Sequence, residues 1–382
     1  MLDKVIMMDV NSPNYNRLIT PLANFFVENK IAKEVAISYD PFINASELDD
    51  SKYVSGVYKV KSSIEFNRII KLKDKSKTVL MTQGYQISNL YWTYRYKKIG
   101  LKSYQYQHGM YAEFLKRDLL GYFSSIKKKI IYLKYLIYFI FRFNKGITLY
   151  LINKDFIKSL NINDKIKNNY KSSLKPLLSN HLFVWGEYWK KWFVDNHFYE
   201  STKDATVVGN PDYHTFIKDK ELVRDENKVC YIAQSYVEDG RMKREDYKKV
   251  IDKLSNSFKD KLVVKLHPRS DLSMYSLVKD NGGELTKGFP MPSSFIGHYS
   301  SLLALPINEG AKVFILEMNN EETPIYYKES ATLVTNNINK LVEAVKQNKI
   351  VDSSKNIAYY FKNLQEHPYE IISQRILVNG NL

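Results

Sequence analysis

One cysteine in 382 residues excludes an intrachain disulfide, and with it the disulfide-stapled architecture of small secreted domains. That residue, Cys230, falls in the apolar run NKVCYIAQ and reads as a small buried hydrophobe. A long apolar run is also missing. The longest, Ile130–Phe143, has 14 residues and contains Lys134 and Arg142, whereas a membrane-spanning helix needs ~20. The N-terminus MLDKVIMMDVNSPNY lacks the charged start, apolar core and cleavage site of a signal peptide, so a cytoplasmic protein is expected. Acidic residues are scarce beside basic ones, 41 against 57, a net charge of +16. Such a surface favours polyanions: nucleic acid, acidic membrane, or nucleotide-activated and acidic sugars. No Asp-x-Asp pair sits convincingly at a strand end, so neither a metal nor another cofactor is expected.

What is present is an alternation of short apolar runs with helix-like or polar stretches. KVIMMDV, EVAISYD, TVLMTQG, SYQYQHG, HLFVWGE and ATVVGNP read as strands of a first α/β domain. KVCYIAQ, KLVVKLHP, SFIGHYS and KVFILE read as strands of a second, with helical spacing in REDYKKVIDKLSNSF and NINKLVEAVKQN. The polar stretch from Pro211 to Lys228 has no clear apolar period and suits a linker. The expected division is a lobe over 1–212, a second over 228–352 and a helical tail over 353–382, which could cross back onto the first. A basic, aromatic insert at 116–172 interrupts the first lobe. Its 116–145 part suits a helix lying on an anionic membrane surface, with a core helix bearing a solvated lysine face as the alternative.

Chemistry concentrates in the second lobe. VVKLHPR ends a strand at His267-Pro268-Arg269, and FIGHYSSLLALPINEGAKVFILE reads as strand, Ser300-Ser301, helix and strand. Both motifs fall at strand C-termini, the edge where open parallel sheets bind ligands. Ser300 and Ser301 would open a helix whose free N–H groups attract an anion, with His267 and Arg269 beside them. A phosphate-bearing ligand is expected. Taken singly, Ser-Ser is an ordinary N-cap and His-Pro an ordinary strand terminator. Glu238-Asp239-Gly240 reads as a solvated turn.

Two Rossmann-like lobes with a cleft between them, the Gly209-Asn210-Pro211 turn and a phosphate-type site together resemble a GT-B glycosyltransferase. Lys265-Leu266-His267-Pro268 and Ser300-Ser301 resemble the HP and SS motifs of bacterial sialyltransferases and polysialyltransferases, which use CMP-sialic acid. The resemblance implies that His267, Ser300 and Ser301 hold the phosphate of a CMP-activated donor; Arg269 is added on its charge. It also implies an inverting transferase acting on a bacterial surface glycan, and the basic insert at 116–145 fits a place at the inner face of the cytoplasmic membrane. Glu309 would reach the donor ribose, as acidic residues do in many GT-B enzymes; a helix-terminal Glu before a Gly310 cap is the alternative. Those families carry an acidic base motif in the first lobe, where this chain reads Tyr106-Gln107-His108-Gly109. That turn partly resembles the Gln-Asp-Gly of bacterial Kdo transferases. His108 then stands as the general base, supported by Gln107, Gly109 and Glu113. His267 is counted with it as catalytic, because the departing phosphate needs donors where charge develops.

Three other readings compete. Teichoic-acid-type transferases of alditol phosphate from CDP-alditols also carry His-Pro and Ser-Ser motifs. A sugar-nucleotide epimerase shares the two lobes and the Gly-Asn-Pro turn. A basic binder of nucleic acid would suit the 30 tyrosines, but these are spread through strand-like runs and no nucleic-acid motif appears, so no nucleic-acid partner is expected.

Overall fold

In a computed structural model of the chain, the described residues are 1–9, 15–39, 49–60, 65, 68–69, 77–82, 87–110, 126–142, 175–197, 199, 201–217, 225–238, 240–318, 321–348, 357–362 and 366–379. They form two α/β units. The first comprises Met1–Gly109, Lys116–Pro211 and Leu364–Leu382; the second comprises Met110–Leu115 and Asp212–Asn363.

The first unit is built on β1 (Leu2–Asp9), β2 (Ala32–Tyr39), β3 (Val57–Lys59), β4 (Thr78–Thr82), β5 (Lys102–Tyr106), β6 (His181–Val184) and β7 (Ala205–Val207). All pair in parallel, in the order β3-β2-β1-β4-β5-β6-β7. A parallel sheet is covered on both faces, so its strands are continuously apolar rather than alternating. β4 and β6 are accordingly buried at every position. The alternation of β1 assigns its side chains to two cores. Val5 and Met7 pack with Leu22, Ala23 and Phe26 of helix α1 (Thr20–Glu28), and Ile6 and Met8 with Tyr91, Trp92 and Tyr96 of α2 (Ile87–Lys98). Helix α3 (Ile126–Arg142) adds Tyr135 and Phe139 to the second of these cores, where the Trp92 indole donates to the Tyr135 hydroxyl at 3.2 Å.

The second unit carries β8 (Asp225–Ile232), β9 (Leu262–Lys265), β10 (Glu284–Thr286), β11 (Pro292–Gly297), β12 (Lys312–Leu316) and β13 (Leu333–Thr335). Again every pairing is parallel, in the order β10-β9-β8-β11-β12-β13. Helix α4 (Arg244–Phe258) buries Tyr247, Ile251, Leu254 and Phe258 on one stripe against Tyr231, Val264 and Ile296. Between β11 and β12 runs the five-residue α5 (Ala304–Asn308). Helix α6 (Ile338–Lys346) starts where the Asn337 side chain accepts the N–H groups of Asn339 and Lys340, and adds Leu341, Val342 and Val345 to the α4 core.

The chain ends in the first unit. Helix α7 (Pro368–Asn379) inserts Tyr369, Ile372 and Ile376 among the α1 and β1 side chains, and His367 stacks on Phe25 with ring centroids 5.8 Å apart. The expected tail is thus divided: the short turn Ile357–Tyr359 groups with the second unit and α7 with the first. Where a linker was expected, Pro211–Phe216 is helical and Asp212 already belongs to the second unit. Most of the insert, and Glu113 with it, lies outside the described residues. No described helix is long and apolar enough to cross a membrane.

The α7 packing predicts that Ile372→Ala destabilises the protein by about 2–5 kcal/mol in urea unfolding, since it opens a cavity in the α1 core. Val378→Ala on the same helix, where the side chain is 67% exposed, should change stability by less than about 0.5 kcal/mol. Equal effects at the two positions would refute the docking of α7.

Candidate functional site

In the second sheet the strand order reverses between β8 and β11, the point at which a parallel sheet opens a crevice at its carboxyl edge. Three turns leave the sheet there: Ala233-Gln234-Ser235 after β8, Leu266 to Arg269 after β9, and His298-Tyr299-Ser300 after β11. Side chains lace them together. Arg269 Nη2 donates to Ser235 Oγ at 2.9 Å, and the Gln234 amide donates to the Tyr299 carbonyl.

The His267 turn closes on itself. The His267 N–H donates to Ser270 Oγ at 3.1 Å and the Ser270 N–H to the His267 carbonyl at 3.0 Å. His267 Nδ1 accepts the Arg269 N–H at 3.2 Å, which makes Nε2 the protonated ring nitrogen of the neutral imidazole. The Nε2–H is therefore the donor of the ring. The structure brings His267, Arg269, Ser300 and Ser301 to one edge of one sheet.

Two expectations need correction. Ser300 opens only a 3-10 turn, Ser301–Leu303, followed by α5, so no long helix stands behind it to sum a large dipole. The Ser300 hydroxyl is already engaged as the cap, accepting the Leu302 N–H at 3.3 Å. The Ser301 hydroxyl has no hydrogen-bond partner among the described residues. Glu309, by contrast, is carried away from the serines. It follows α5 and precedes a Gly310 with φ 71° and β12, at the amino-terminal edge of the sheet, so the helix-terminal alternative describes its placement. Eight helical residues separate it from Ser300, on the order of 12 Å at ~1.5 Å per residue.

Sequence reading missed the group that holds the β11 turn. His298 is 1% exposed; its Nδ1 donates to the Leu316 carbonyl at 2.8 Å, which leaves Nε2 to accept the Tyr231 hydroxyl at 2.8 Å. The Tyr231 and Tyr247 hydroxyls bond at 3.0 Å, and Tyr247 accepts the Gln234 N–H at 3.1 Å. The chain of bonds runs from α4 through β8 and β11 to β12 and fixes both turns that flank the switch point. Burial drives the His298 pKa down to about 4, helped by Arg241, so the ring is neutral. The only signal in the sequence was a His directly before Tyr-Ser-Ser. Ser235 and Gln234 were missed as well, because a polar residue after a strand carries no distinctive pattern.

Glu238 is not simply solvated: it is half-buried and accepts the Asp271 N–H at 2.9 Å. Gly240 does sit in a turn, with φ 66° and its N–H on the Val237 carbonyl, while Asp239 lies outside the described residues. A cavity of about 660 Å3 opens at the opposite, amino-terminal edge, among Lys228, Lys259, Lys312 and Lys346; none of the motif residues lines it.

In the first unit, Gln107 is fully buried and spans two strand ends. Its Oε1 accepts the Trp185 N–H at 2.8 Å, its Nε2 donates to the Gly109 carbonyl at 2.9 Å, and its own N–H reaches the Phe183 carbonyl at 2.9 Å. Gln107 thus builds the turn rather than facing a ligand. His108 follows it at the carboxyl edge of the first sheet, half-buried. Around Gly109 a Cβ would meet no atom of the described residues within 4 Å. Cys230 is wholly buried and its thiol pKa is pushed up to about 12.

No family model matches the chain, and no curated protein matches its sequence. Solved structures do. The UDP-GlcNAc 2-epimerase of Methanocaldococcus jannaschii in complex with UDP-GlcNAc and UDP is 14% identical, covers 99% of this chain and 100% of its own, and superposes with a TM-score of 0.53. UGT2 of Phytolacca americana, complexed with UDP-2fluoro-glucose and pterostilbene, is 10% identical with both chains fully covered and a TM-score of 0.55. The lipopolysaccharide outer core galactosyltransferase WaaB is 10% identical over both full chains, at 0.50. Identities this low speak for the fold: two parallel-sheet, Rossmann-like units of the GT-B class.

The buried His298 makes a pH prediction. Its folded pKa of about 4 lies below the ordinary 6.5, so between these values the unfolded chain binds more protons than the folded one. Stability should be full above about pH 6.5 and fall as pH drops toward 4, by on the order of 2–3 kcal/mol from this group. In urea unfolding from pH 7 to 4.5, His298→Gln should flatten that decline. A variant with the wild-type slope would mean that His298 is not the group responsible.

Proposed function

We propose that the chain is a nucleotide-sugar-dependent glycosyltransferase that moves an acidic, sialic acid-like sugar from a CMP donor onto a bacterial surface glycan, with inversion. The observation that carries this reading is the assembly of His267, Arg269 and Ser301 at the switch point of the second sheet. In the reaction, the acceptor oxygen bonds to the anomeric carbon as the bond from that carbon to the donor phosphate breaks. The electron pair leaves on the phosphate, where His267 Nε2–H, the Arg269 guanidinium and the Ser301 hydroxyl stabilise the charge. The acceptor proton passes to His108. A second reading keeps the fold and changes the ligand: the epimerase neighbour was solved with UDP-GlcNAc and UDP, and UGT2 with a UDP-sugar, which favours a UDP-sugar transferase or epimerase. A CDP-alditol donor would use the same phosphate-facing groups.

Helix α3 supports a place at the inner face of the membrane. Tyr135 and Phe139 are buried, yet Leu133, Ile137 and Ile140 are 53%, 44% and 48% exposed and Phe141 83%. At 100° per residue these four form one stripe on the side opposite Tyr135 and Phe139. Exposed Lys134 adjoins it, and Lys127, Lys128 and Lys129 precede it in the sequence. A core helix accounts only for the buried side. An apolar stripe with basic flanks fits an anionic bilayer surface.

A thermal-shift panel of CMP, CDP, UDP and their sugars tests the donor, since a ligand of the folded state raises the melting temperature. CMP should give the largest shift, and Ser301→Ala should weaken it about tenfold without touching the Ser300 cap. His108→Ala should leave CMP binding intact and slow transfer ~10²–10⁴-fold. A preference for UDP would move the assignment to the second reading, and unchanged CMP affinity in Ser301→Ala would remove Ser301 from the site.

For the membrane, full-length protein should bind vesicles containing anionic lipid and leave them as salt rises, and Phe141→Asp should weaken binding at least about tenfold. Equal binding by Phe141→Asp and wild type would dismiss α3 as the docking element.

A further inference from the structure

Lys265 closes β9 at the sheet's carboxyl edge. Its carbonyl accepts the Ala233 N–H at 3.0 Å, and its strand partners are Ile232 and Thr286. Alternation places its side chain on the face shared with Val263, Cys230 and Ile232, away from the α4 core that holds Tyr231 and Val264. The residue is only 8% exposed. Its ammonium donates to the Leu266 carbonyl at 3.1 Å, and among the described residues no carboxylate comes within ion-pair distance. The thiol of Cys230 is near enough to bear on it, but burial keeps that thiol protonated and uncharged. Burial likewise pulls the Lys265 pKa below the ordinary lysine value.

A buried cation without a counter-charge is among the costlier features a folded chain can carry. The cost is misplaced in a strand core, and it is reasonable at an edge where an anion arrives. Lys265 stands one residue from the Leu266–Arg269 turn, and its β8 neighbour leads directly into Gln234 and Ser235. The ammonium has three donor hydrogens, of which the Leu266 carbonyl takes one. We infer that Lys265 is a ligand-binding residue whose missing counter-charge is a phosphate oxygen of the bound nucleotide. This deepens the donor reading above and rests on it. His267 and Arg269 orient the phosphate by directional hydrogen bonds, while Lys265 supplies a compact point charge from beneath the turn.

The test compares wild type, Lys265→Met and Lys265→Arg for melting temperature without ligand and for calorimetric affinity toward CMP, cytidine and inorganic pyrophosphate. Lys265→Met should melt at or above the wild-type temperature, because it removes an unpaired buried charge. It should also bind CMP and pyrophosphate at least about tenfold more weakly and bind cytidine as wild type does, and Lys265→Arg should retain part of the anion affinity. A Met variant that binds CMP and pyrophosphate as wild type, or that fails to fold while the Arg variant folds, overturns the inference, since the charge would then serve the fold. If wild type binds pyrophosphate through Lys265 but no nucleotide, the donor reading falls and Lys265 stands as an anion site. If wild type binds neither, both fall.

Discussion

A parallel strand has to be left at its carboxyl end and the next one entered at its amino end. That constraint sorts this molecule's residues more than any single contact does. In the second unit it delivers the turns after β8, β9 and β11 to one edge and forces α5 to run back to the other. His267, Arg269, Ser235 and Ser301 therefore share an edge although Ser235 and Ser301 are 66 positions apart, whereas Glu309, eight positions after Ser301, does not. The first unit obeys the same rule, and its β5 brings Gln107 and His108 to the carboxyl edge of the first sheet.

Polar groups at these edges divide by whether their hydrogen bonds are used up inside the protein. Gln107 uses both ends of its amide and its backbone N–H on neighbouring turns. His298 uses both ring nitrogens, and Tyr231 and Tyr247 complete the chain to Gln234. Such fully bonded networks hold turns at fixed angles, and in a low-dielectric interior each bond is stronger than in water. Ser301 and Lys265 are different: one hydroxyl has no partner among the described residues, and one ammonium has a single carbonyl. Saturated groups form the scaffold, and unsaturated ones are where a ligand has something to gain.

The sheets were legible because a strand covered on both faces must be apolar along its length; TVLMT and KLVVK cannot be read otherwise. β3, β10 and β13 escaped notice for the converse reason. Each has three residues, lies at a sheet edge and is only partly buried, so none needs an apolar run. The His-Pro-Arg and Ser-Ser motifs could be found because they join chemistry-bearing residues at strand ends. His298 could not, since its importance comes from bonds to Tyr231 and Leu316, 67 and 18 positions away. Glu309 was expected at the donor ribose by resemblance to GT-B enzymes, and the crossover through α5 instead leaves it before β12, as the helix-terminal alternative has it. The return of α7 was legible only as helical spacing; its partner on α1 is set by tertiary packing.

Neighbours of the same fold span an epimerase, the UGT2 of Phytolacca americana and a galactosyltransferase at 10–14% identity, so the architecture leaves the reaction open and the turns must decide it. Any enzyme that breaks the bond between an anomeric carbon and a nucleotide phosphate has to stabilise the departing charge, so hydrogen-bond donors at that phosphate are a requirement that does not tell such reactions apart. What separates transfer from other outcomes is the fate of a proton on an incoming hydroxyl. A transferase needs a base for it, and the proposal above gives that task to His108, which follows a residue, Gln107, bonded to β6 and to Gly109. Proton transfer needs a fixed geometry, and the buried amide and backbone of Gln107 tie the turn that carries His108 to both β6 and Gly109.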